Sequence, residues 1–552
     1  MNIALAQLDY HIGNFEDNSR KIIDTIERLK KQNIDLVIFS ELSVCGYSPL
    51  DLLEQHDFLE RSDNALHKIA KHCVDIAAIV GAPVINKNIK GKKLYNAACF
   101  LYNGEVKEER YKSLLPTYDI FDEYRYFEPN KEYSIIEYKS EKIALTICED
   151  LWDKQPSAYR SAKGELYDKS PMTELIKQNP DYIINIAASP FSYNQGDIRT
   201  EVLVENAKKY KLPVLYVNQI GGNTELIFDG DSMVINSNGD IVKRLDTFKE
   251  GVCIVDTNEL LKNRLALIES EKKTDYIEQI YNALVLGVKD YLKKMNFKSL
   301  TLGLSGGIDS AVTLAIVADA IGSENIRVLL LPSKYSSEHS VKDAEDLAKN
   351  LNVEYDIINI QPIVDSFETG LSDIFTGLSE DVTEENIQAR VRGVLMMALS
   401  NKFGNMLLNT SNKSEAAVGY STMYGDMNGG LSVLGDVYKT DIFKLAQFIN
   451  REREIIPINT IVKPPSAELR PNQKDSDSLP EYNVLDAILF EYIEQKLSSS
   501  EIISKGFDEE IVIKVLRLVD MNEYKRFQTP PILRVSSKAF GFGRRMPLVA
   551  KY

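Results

Sequence analysis

Leu302-Gly303-Leu304-Ser305-Gly306-Gly307-Ile308-Asp309-Ser310 joins two patterns of different period. An apolar, β-prone run (Leu300, Leu302, Leu304) stops at Ser305-Gly306-Gly307, and a helical pattern follows through Val312, Leu314, Ile316, Val317 and Ala320. Strand, glycine turn and helix start together aim backbone N–H groups and a positive helix end at one point, which suits an anion, most often phosphate. No Lys-Ser or Lys-Thr follows the second glycine, so this is not a Walker A loop. Asp309 repels a bare phosphate but fits one that carries Mg²⁺. Taken alone, the stretch also reads as an ordinary glycine-rich βα turn.

Further along, Val328-Leu329-Leu330-Leu331 ends at Pro332, Val353 to Ile360 reads as the next strand, and Asn405-Met406-Leu407-Leu408-Asn409 ends at Thr410. Helical patterns over 340–351 and 387–401 separate these strands. Strands alternating with helices predict a doubly wound parallel sheet, which binds ligands beyond its strand C-termini. Ser305, Pro332 and Thr410 all fall there.

The first half predicts a different α/β architecture. Asn2 to Gln7 reads as a strand, 18–31 as an amphipathic helix and 35–39 as a buried strand that runs into Ser40-Glu41. A helix over 63–72 and strands over 76–81, 97–102, 143–147, 182–187, 214–218 and 232–236 follow. This favours two sheets between helices. Residues 256–273 are charged and helix-prone, which predicts a structured join near Ser270, and 275–294 reads as a helix.

With 552 residues and roughly 100–200 residues per domain, several domains or two large ones are expected. The net charge of −16 argues against a general nucleic-acid partner. No signal peptide or apolar run of about 20 residues predicts export or a membrane span, so a cytoplasmic protein is expected. The five cysteines form no Cys-x-x-Cys pair, which suits free thiols, and the five histidines show no zinc spacing. Cys148 ends a predicted strand and faces a turn, where nucleophiles are commonly presented. Cys45, close to Glu41, competes with it, and Cys73, Cys99 and Cys253 read as small core residues. No histidine partner supports a papain-like dyad.

Ser305 to Ser310 resembles the PP-loop of ATP pyrophosphatases. Asn386-Ile387-Gln388-Ala389-Arg390, Asn409-Thr410-Ser411-Asn412-Lys413-Ser414-Glu415, Gly435-Asp436-Val437-Tyr438-Lys439-Thr440 and Glu468-Leu469-Arg470-Pro471-Asn472-Gln473 narrow the likeness to NAD synthetases. The first half resembles a nitrilase-type glutaminase. Nearly the whole chain is thus similar to the glutamine-dependent NAD synthetase family. That resemblance implies an αββα sandwich over 1–265 and a PP-loop synthetase over 266–552.

It further implies a Glu41-Lys112-Cys148 triad, with Glu41 as base, Lys112 as fixed cation and the Glu149 N–H as oxyanion donor. Glu123 would hold Lys112. Glutamine would meet Tyr118, Ser189 and Gln195, the last standing where the family has lysine. Residues Gly303 to Ser310, Thr410 and Lys439 would bind ATP. Asn386, Arg390, Glu415 and Lys525 would bind deamido-NAD. Asp309 and Glu415 would hold Mg²⁺ with ATP, and no tightly bound organic cofactor is implied. Residues 468–478 would form a mobile loop. The implied reaction joins ammonia from glutamine to adenylated deamido-NAD, in a homo-oligomer from dimer to octamer, with an enclosed passage for ammonia. The residues alone leave open another glutamine-dependent ATP pyrophosphatase with a different acceptor, or a binding protein that uses the nitrilase fold as scaffold.

Overall fold

In the computed structural model, residues 1–154, 166–267 and 275–550 are described. The chain divides into two units, Met1–Lys273 and Thr274–Tyr552. The join expected near Ser270 lies outside the described residues. Of the described part of the helix-prone stretch, residues 256–267, only Thr257–Leu261 is helical.

The first unit holds β1 (Asn2–Gln7), β2 (Leu36–Ile38), β3 (Ala77–Ile85), β4 (Leu94–Tyr102), β5 (Glu105–Tyr111), β6 (Ile136–Tyr138), β7 (Glu141–Ile147), β8 (Tyr182–Ala187) and β9 (Val214–Asn218). After them come β10 (Ile220–Asn223), β11 (Leu226–Asp229), β12 (Met233–Ile235), β13 (Ile241–Arg244) and β14 (Gly251–Asp256). Two six-stranded sheets form, ordered β14-β1-β2-β3-β4-β5 and β13-β12-β9-β8-β7-β6, beside a β10-β11 hairpin. Side chains alternate across a strand, so each strand serves two cores. Ile3, Leu5, Ile38 and Ile79 meet Ile143, Leu145, Ile184 and Ile186 of the other sheet. Ala4, Ala6, Val37 and Val80 instead face α1 (Phe15–Lys30) and α2 (His56–Ala70), through Ile22, Ile26, Leu66 and Ile69. The short α3 (Pro171–Leu175) and α4 (Gln195–Tyr210) pack Met172, Leu175, Leu203 and Ala207 into the same apolar cluster as the second sheet.

Both early helices begin before the expected positions. Asn14 caps α1 by accepting from Asp17 N, and Phe15 packs edge-on against Phe58 of α2. Strands β5, β6, β10, β11, β13 and β14 were not expected from the apolar pattern. β5 reads Glu-Val-Lys-Glu-Glu-Arg-Tyr because it is a solvated sheet edge.

The second unit opens with α6 (Tyr276–Lys294), after α5 (Thr257–Leu261) of the first; Asp275 caps α6. It is built on β15 (Leu300–Gly303), β16 (Ile326–Leu330), β17 (Glu354–Ile357), β18 (Met406–Asn409) and β19 (Leu431–Ser432), all parallel in the order β17-β16-β15-β18-β19. Helices α7 (Ile308–Ile321), α8 (Glu338–Asn350), α9 (Gln361–Leu371), α10 (Val382–Phe403), α11 (Lys413–Val418) and α12 (Lys439–Ile449) connect and cover them. The strand order reverses at β15, so the crevice between the C-terminal ends of β15 and β18 is the topological switch point. Ser305 and Thr410 follow those two strands.

Behind this crevice, the fully buried Lys413 ammonium meets Glu494 and Asp436 (both 3.0 Å), Ser536 Oγ (2.7 Å) and the Lys538 carbonyl (2.9 Å). Removing one partner of a buried ion group leaves uncompensated charge. Lys413→Met should therefore destabilise this unit by about 3–5 kcal/mol, read as a lowered thermal midpoint. Among the described residues no helix is long and apolar enough to cross a membrane.

Candidate active sites

In the first unit, Glu41 follows β2, Lys112 follows β5 and Cys148 follows β7; all three are buried. A close approach of β3 sets Glu41. A Cβ on Gly81 would lie 2.3 Å from Leu42 N and 2.6 Å from Ser40 O, so only glycine fits there. Lys112 Nζ lies 2.8 Å from Glu41 Oε1 and 2.8 Å from Glu123 Oε1. Glu41 Oε2 accepts from Ala188 N (3.0 Å), and Tyr47 OH donates to Glu123 Oε1 (2.9 Å).

Cys148 has φ +42°, a conformation that disfavours side chains and concentrates at functional sites. Asp150 stabilises this turn by accepting from Ile147 N (3.1 Å), Ser113 N (2.9 Å) and Leu114 N (2.9 Å). One carboxylate thus ties the cysteine's turn to the backbone beside Lys112. Asn185 Nδ2 donates to the Cys148 carbonyl (3.3 Å).

Burial pushes the Cys148 thiol well above its ordinary value. Glu41 adds to the rise and Lys112 opposes it. The resting group is therefore a thiol that needs a base. Burial works against the Lys112 ammonium, but Glu123 and Glu41 hold it well above the usual lysine range. Burial raises Glu123, against the pull of Lys112. Cys45 is also fully buried, but its Sγ faces the carbonyls of Leu42 (3.6 Å) and Gly46 (3.5 Å), and burial raises its thiol too. No cation acts on it, so it reads as core. All five cysteines are free.

Of the expected glutamine contacts, Tyr118 OH lies 3.0 Å from both Glu149 oxygens. Ser189 N donates to Asn218 Oδ1 (2.9 Å), and Gln195 opens α4. The Glu149 carboxylate itself was not expected to matter. It is buried next to Cys148 and also accepts from Tyr167 OH (2.9 Å).

In the second unit, Gly306 has φ +79°, and a Cβ there would lie 2.1 Å from the Ser340 carbonyl. The loop can pass α8 only as glycine. Gly307 N donates to Ser305 Oγ (3.1 Å), which lies 3.1 Å from Ser310 Oγ. Asp309, in the first turn of α7, meets Lys439 Nζ (2.5 Å), which also lies 3.4 Å from Glu415. Asn412 caps α11 and closes the arrangement: its Oδ1 accepts from Glu415 N (2.9 Å) and its Nδ2 donates to Asp309 Oδ1 (2.9 Å). Burial, then Asp309, raises Glu415 to about 8, while Lys439 opposes. As an isolated charge Lys439 reads as a surface residue; it is in fact 2% exposed.

Asn386, Arg390 and Lys525 converge on residues 419–423. Asn386 Oδ1 accepts from Thr422 Oγ1 (2.7 Å), Arg390 Nε donates to Met423 O (3.3 Å), and Lys525 Nζ donates to Gly419 O (2.7 Å) and Ser421 O (2.8 Å). Residues 468 and 469, in the loop expected to be mobile, contact the start of α8 and α10. Glu468 accepts from Ser337 Oγ (2.7 Å) and Ser340 Oγ (2.8 Å), and Leu469 O accepts from Gln388 Nε2 (3.0 Å). Arg392 was not foreseen. Its Nε donates to Leu331 O (3.0 Å), just past the end of β16, and burial lowers it to about 10 against the pull of Glu468 and Asp426. Only its i+2 spacing from Arg390 hints that the two point to different surroundings.

A magnesium ion bound with a nucleotide needs few protein ligands, usually one or two carboxylates plus phosphate oxygens. Among the described residues no cluster of three or more His, Cys, Asp or Glu is placed to hold a metal. The Asp309–Glu415 pair therefore suits a phosphate-borne Mg²⁺.

Two family models match, carbon-nitrogen hydrolase over residues 2–263 and NAD synthase over residues 280–529. Together with the two sites, they define a ligase that forms C–N bonds, with a nitrilase-like amidohydrolase fused to an ATP-dependent synthetase. Glutamine-dependent NAD(+) synthetases from Synechocystis and Acinetobacter baylyi are each 44% identical, covering 100% and 99% of this chain and 99% and 98% of theirs. The solved structure of the Acinetobacter baumannii enzyme in complex with ADP is 41% identical with a TM-score of 0.78, covering 99% of this chain and 98% of that one. A Cytophaga hutchinsonii structure, 21% identical with a TM-score of 0.83 over 100% of this chain and 98% of that one, shares the fold. The chain belongs to the glutamine-dependent NAD(+) synthetase family.

Proposed function

We propose that this enzyme converts deamido-NAD⁺, ATP, glutamine and water to NAD⁺, AMP, pyrophosphate and glutamate, the amidation that completes NAD biosynthesis. Residues 1–265 are assigned to the amidohydrolase and 266–552 to the synthetase. The observation that carries this reading is that one chain holds both a buried Glu41–Lys112–Glu123 set beside Cys148 and a PP-loop beside Asp309, Lys439 and Glu415.

In the first half-reaction Glu41 takes the Cys148 proton as Sγ bonds to the amide carbon of glutamine. Lys112 and the Glu149 N–H stabilise the oxyanion. The C–N bond then breaks, the proton passes from Glu41 to the departing nitrogen, and ammonia leaves a thioester. Water, deprotonated by Glu41, releases glutamate and restores the thiol. Glutamine also carries an ammonium and a carboxylate. The Glu149 carboxylate suits the ammonium, while Tyr118, Ser189 and Gln195 supply neutral polar groups.

The nicotinate carboxylate is a poor electrophile until one oxygen becomes a leaving group. It attacks the ATP α-phosphorus, pyrophosphate leaves, and ammonia then displaces AMP. Ser305 to Ser310 hold the phosphates, together with Thr410 and Lys439. Asp309 and Glu415 would hold Mg²⁺, which when bound offsets the charge that builds on the leaving pyrophosphate. Asn386, Arg390 and Lys525 shape the dinucleotide side through residues 419–423. Arg392 faces the ligand end of the sheet and suits a phosphate. Arg392→Met should raise the KM for ATP roughly tenfold or more with a smaller effect on kcat, as expected for a charged hydrogen bond made equally in ground and transition states.

Protonated ammonia is no nucleophile, so the proposal includes its transfer before bulk water protonates it. It also includes a cytoplasmic homo-oligomer, which the free thiols and the family suit. Steady-state NAD⁺ formation from deamido-NAD⁺ with glutamine, and separately with ammonium, tests the reading. Both sources should support synthesis, each with one AMP per NAD⁺. Turnover of another acid acceptor in place of deamido-NAD⁺ would favour a different amidating pyrophosphatase.

A further inference from the structure

We infer that Asn96 is a positioning residue for the general base: its Nδ2, 2.7 Å from Glu41 Oε1 and 3.4 Å from Glu123 Oε2, keeps the negative charge on Glu41 and leaves any shared proton to Glu123. The inference rests on the glutaminase reading above.

Asn96 lies on β4, is 1% exposed, and accepts at its carbonyl from Lys112 N (2.8 Å). Its side chain therefore stands between two buried carboxylates that share one ammonium. Two carboxylates and one lysine leave a net negative charge out of water, a state that favours uptake of a proton. Which carboxylate takes it decides whether Glu41 can act as a base. Both receive Lys112 Nζ at 2.8 Å, so the lysine does not choose. The neutral donors do. Glu41 has the short contact from Asn96 and the Ala188 N–H, whereas Glu123 has Tyr47 OH and only the long contact from Asn96. The reverse amide orientation would set a carbonyl oxygen against both carboxylates, so the donor direction follows from the charges. The Asn96 Oδ1 has no partner among the described residues, which suits a group kept for its N–H. The charged and titratable groups around Glu41 are Lys112, Glu123, Cys148 and Tyr47, with Glu149 beyond the cysteine.

Asn96→Leu keeps the volume and removes the donor. Losing a hydrogen bond to a charged group raises that group's pKa, here by roughly one unit. The acid limb of glutaminase kcat/KM against pH should therefore move up by about one unit, while KM for glutamine and ammonium-driven synthesis stay near wild type. Asn96→Asp puts a third carboxylate in the donor's place and should move the limb further in the same direction. It carries the test if the leucine variant does not fold, as judged by circular dichroism and the thermal midpoint of the full chain. A purely structural role would lower the plateau without moving the limb. Limbs that coincide with wild type in the folded variants overturn the inference. A wild-type protein that releases no ammonia from glutamine overturns the glutaminase reading instead.

Discussion

Cys148→Ala should lower glutamine-driven NAD⁺ formation by more than about a thousandfold while ammonium-driven formation stays close to wild type. Without the Sγ no thioester forms, and neither Glu41 nor Lys112 can replace it, since one is the proposed base and the other is held by two carboxylates. The synthetase groups belong to the other unit and keep their own contacts, so ammonia supplied from solution still reaches an intact adenylation site. Cys45→Ala serves as the control. Its thiol faces two carbonyls, and both activities should persist. Loss of both activities in a folded Cys148→Ala protein would contradict this division of labour. Rates of NAD⁺ formation with each nitrogen source read the outcome.

Asp309→Ala should abolish synthesis from either source, by roughly a thousandfold, because it removes a carboxylate proposed to bind Mg²⁺ where several kcal/mol of charge stabilisation is needed. It also frees Lys439, whose ammonium would turn toward Glu415 and disturb the Asn412 cap. Glutamine hydrolysis measured without ATP should survive, and a thermal midpoint close to wild type separates this variant from a misfolded one. Substantial residual NAD⁺ formation with ammonium would count against the metal role of Asp309.

The PP-loop is legible in the sequence because its meaning is local. Strand, glycine turn and helix start are neighbours, and Gly306 is required by a backbone approach that short motifs encode. Strands β15, β16 and β18 of the parallel sheet are legible for the same reason, as apolar runs, whereas β17 reads Glu-Tyr-Asp-Ile and the two-residue β19 carries no pattern. The glutaminase set is not. Glu41 and Lys112 stand 71 positions apart, and only the family resemblance brought them together before the fold did. Lys439 reads as a solvated charge because its partner Asp309 is 130 positions away. Asn96 is an ordinary polar residue in a strand until two carboxylates from elsewhere close on it. Strand β5 escaped because a solvated edge carries no apolar signal, although it delivers Lys112 to the site.

In the proposed reaction, nitrogen moves from one half of the chain to the other. Glutamine labelled with ¹⁵N at its amide, given to the purified full-length enzyme with deamido-NAD⁺, ATP and Mg²⁺, tests this most directly. The label should appear in the carboxamide of NAD⁺, with one AMP and one glutamate for each NAD⁺. Unlabelled product, or no ATP consumed in the presence of both substrates, would contradict it.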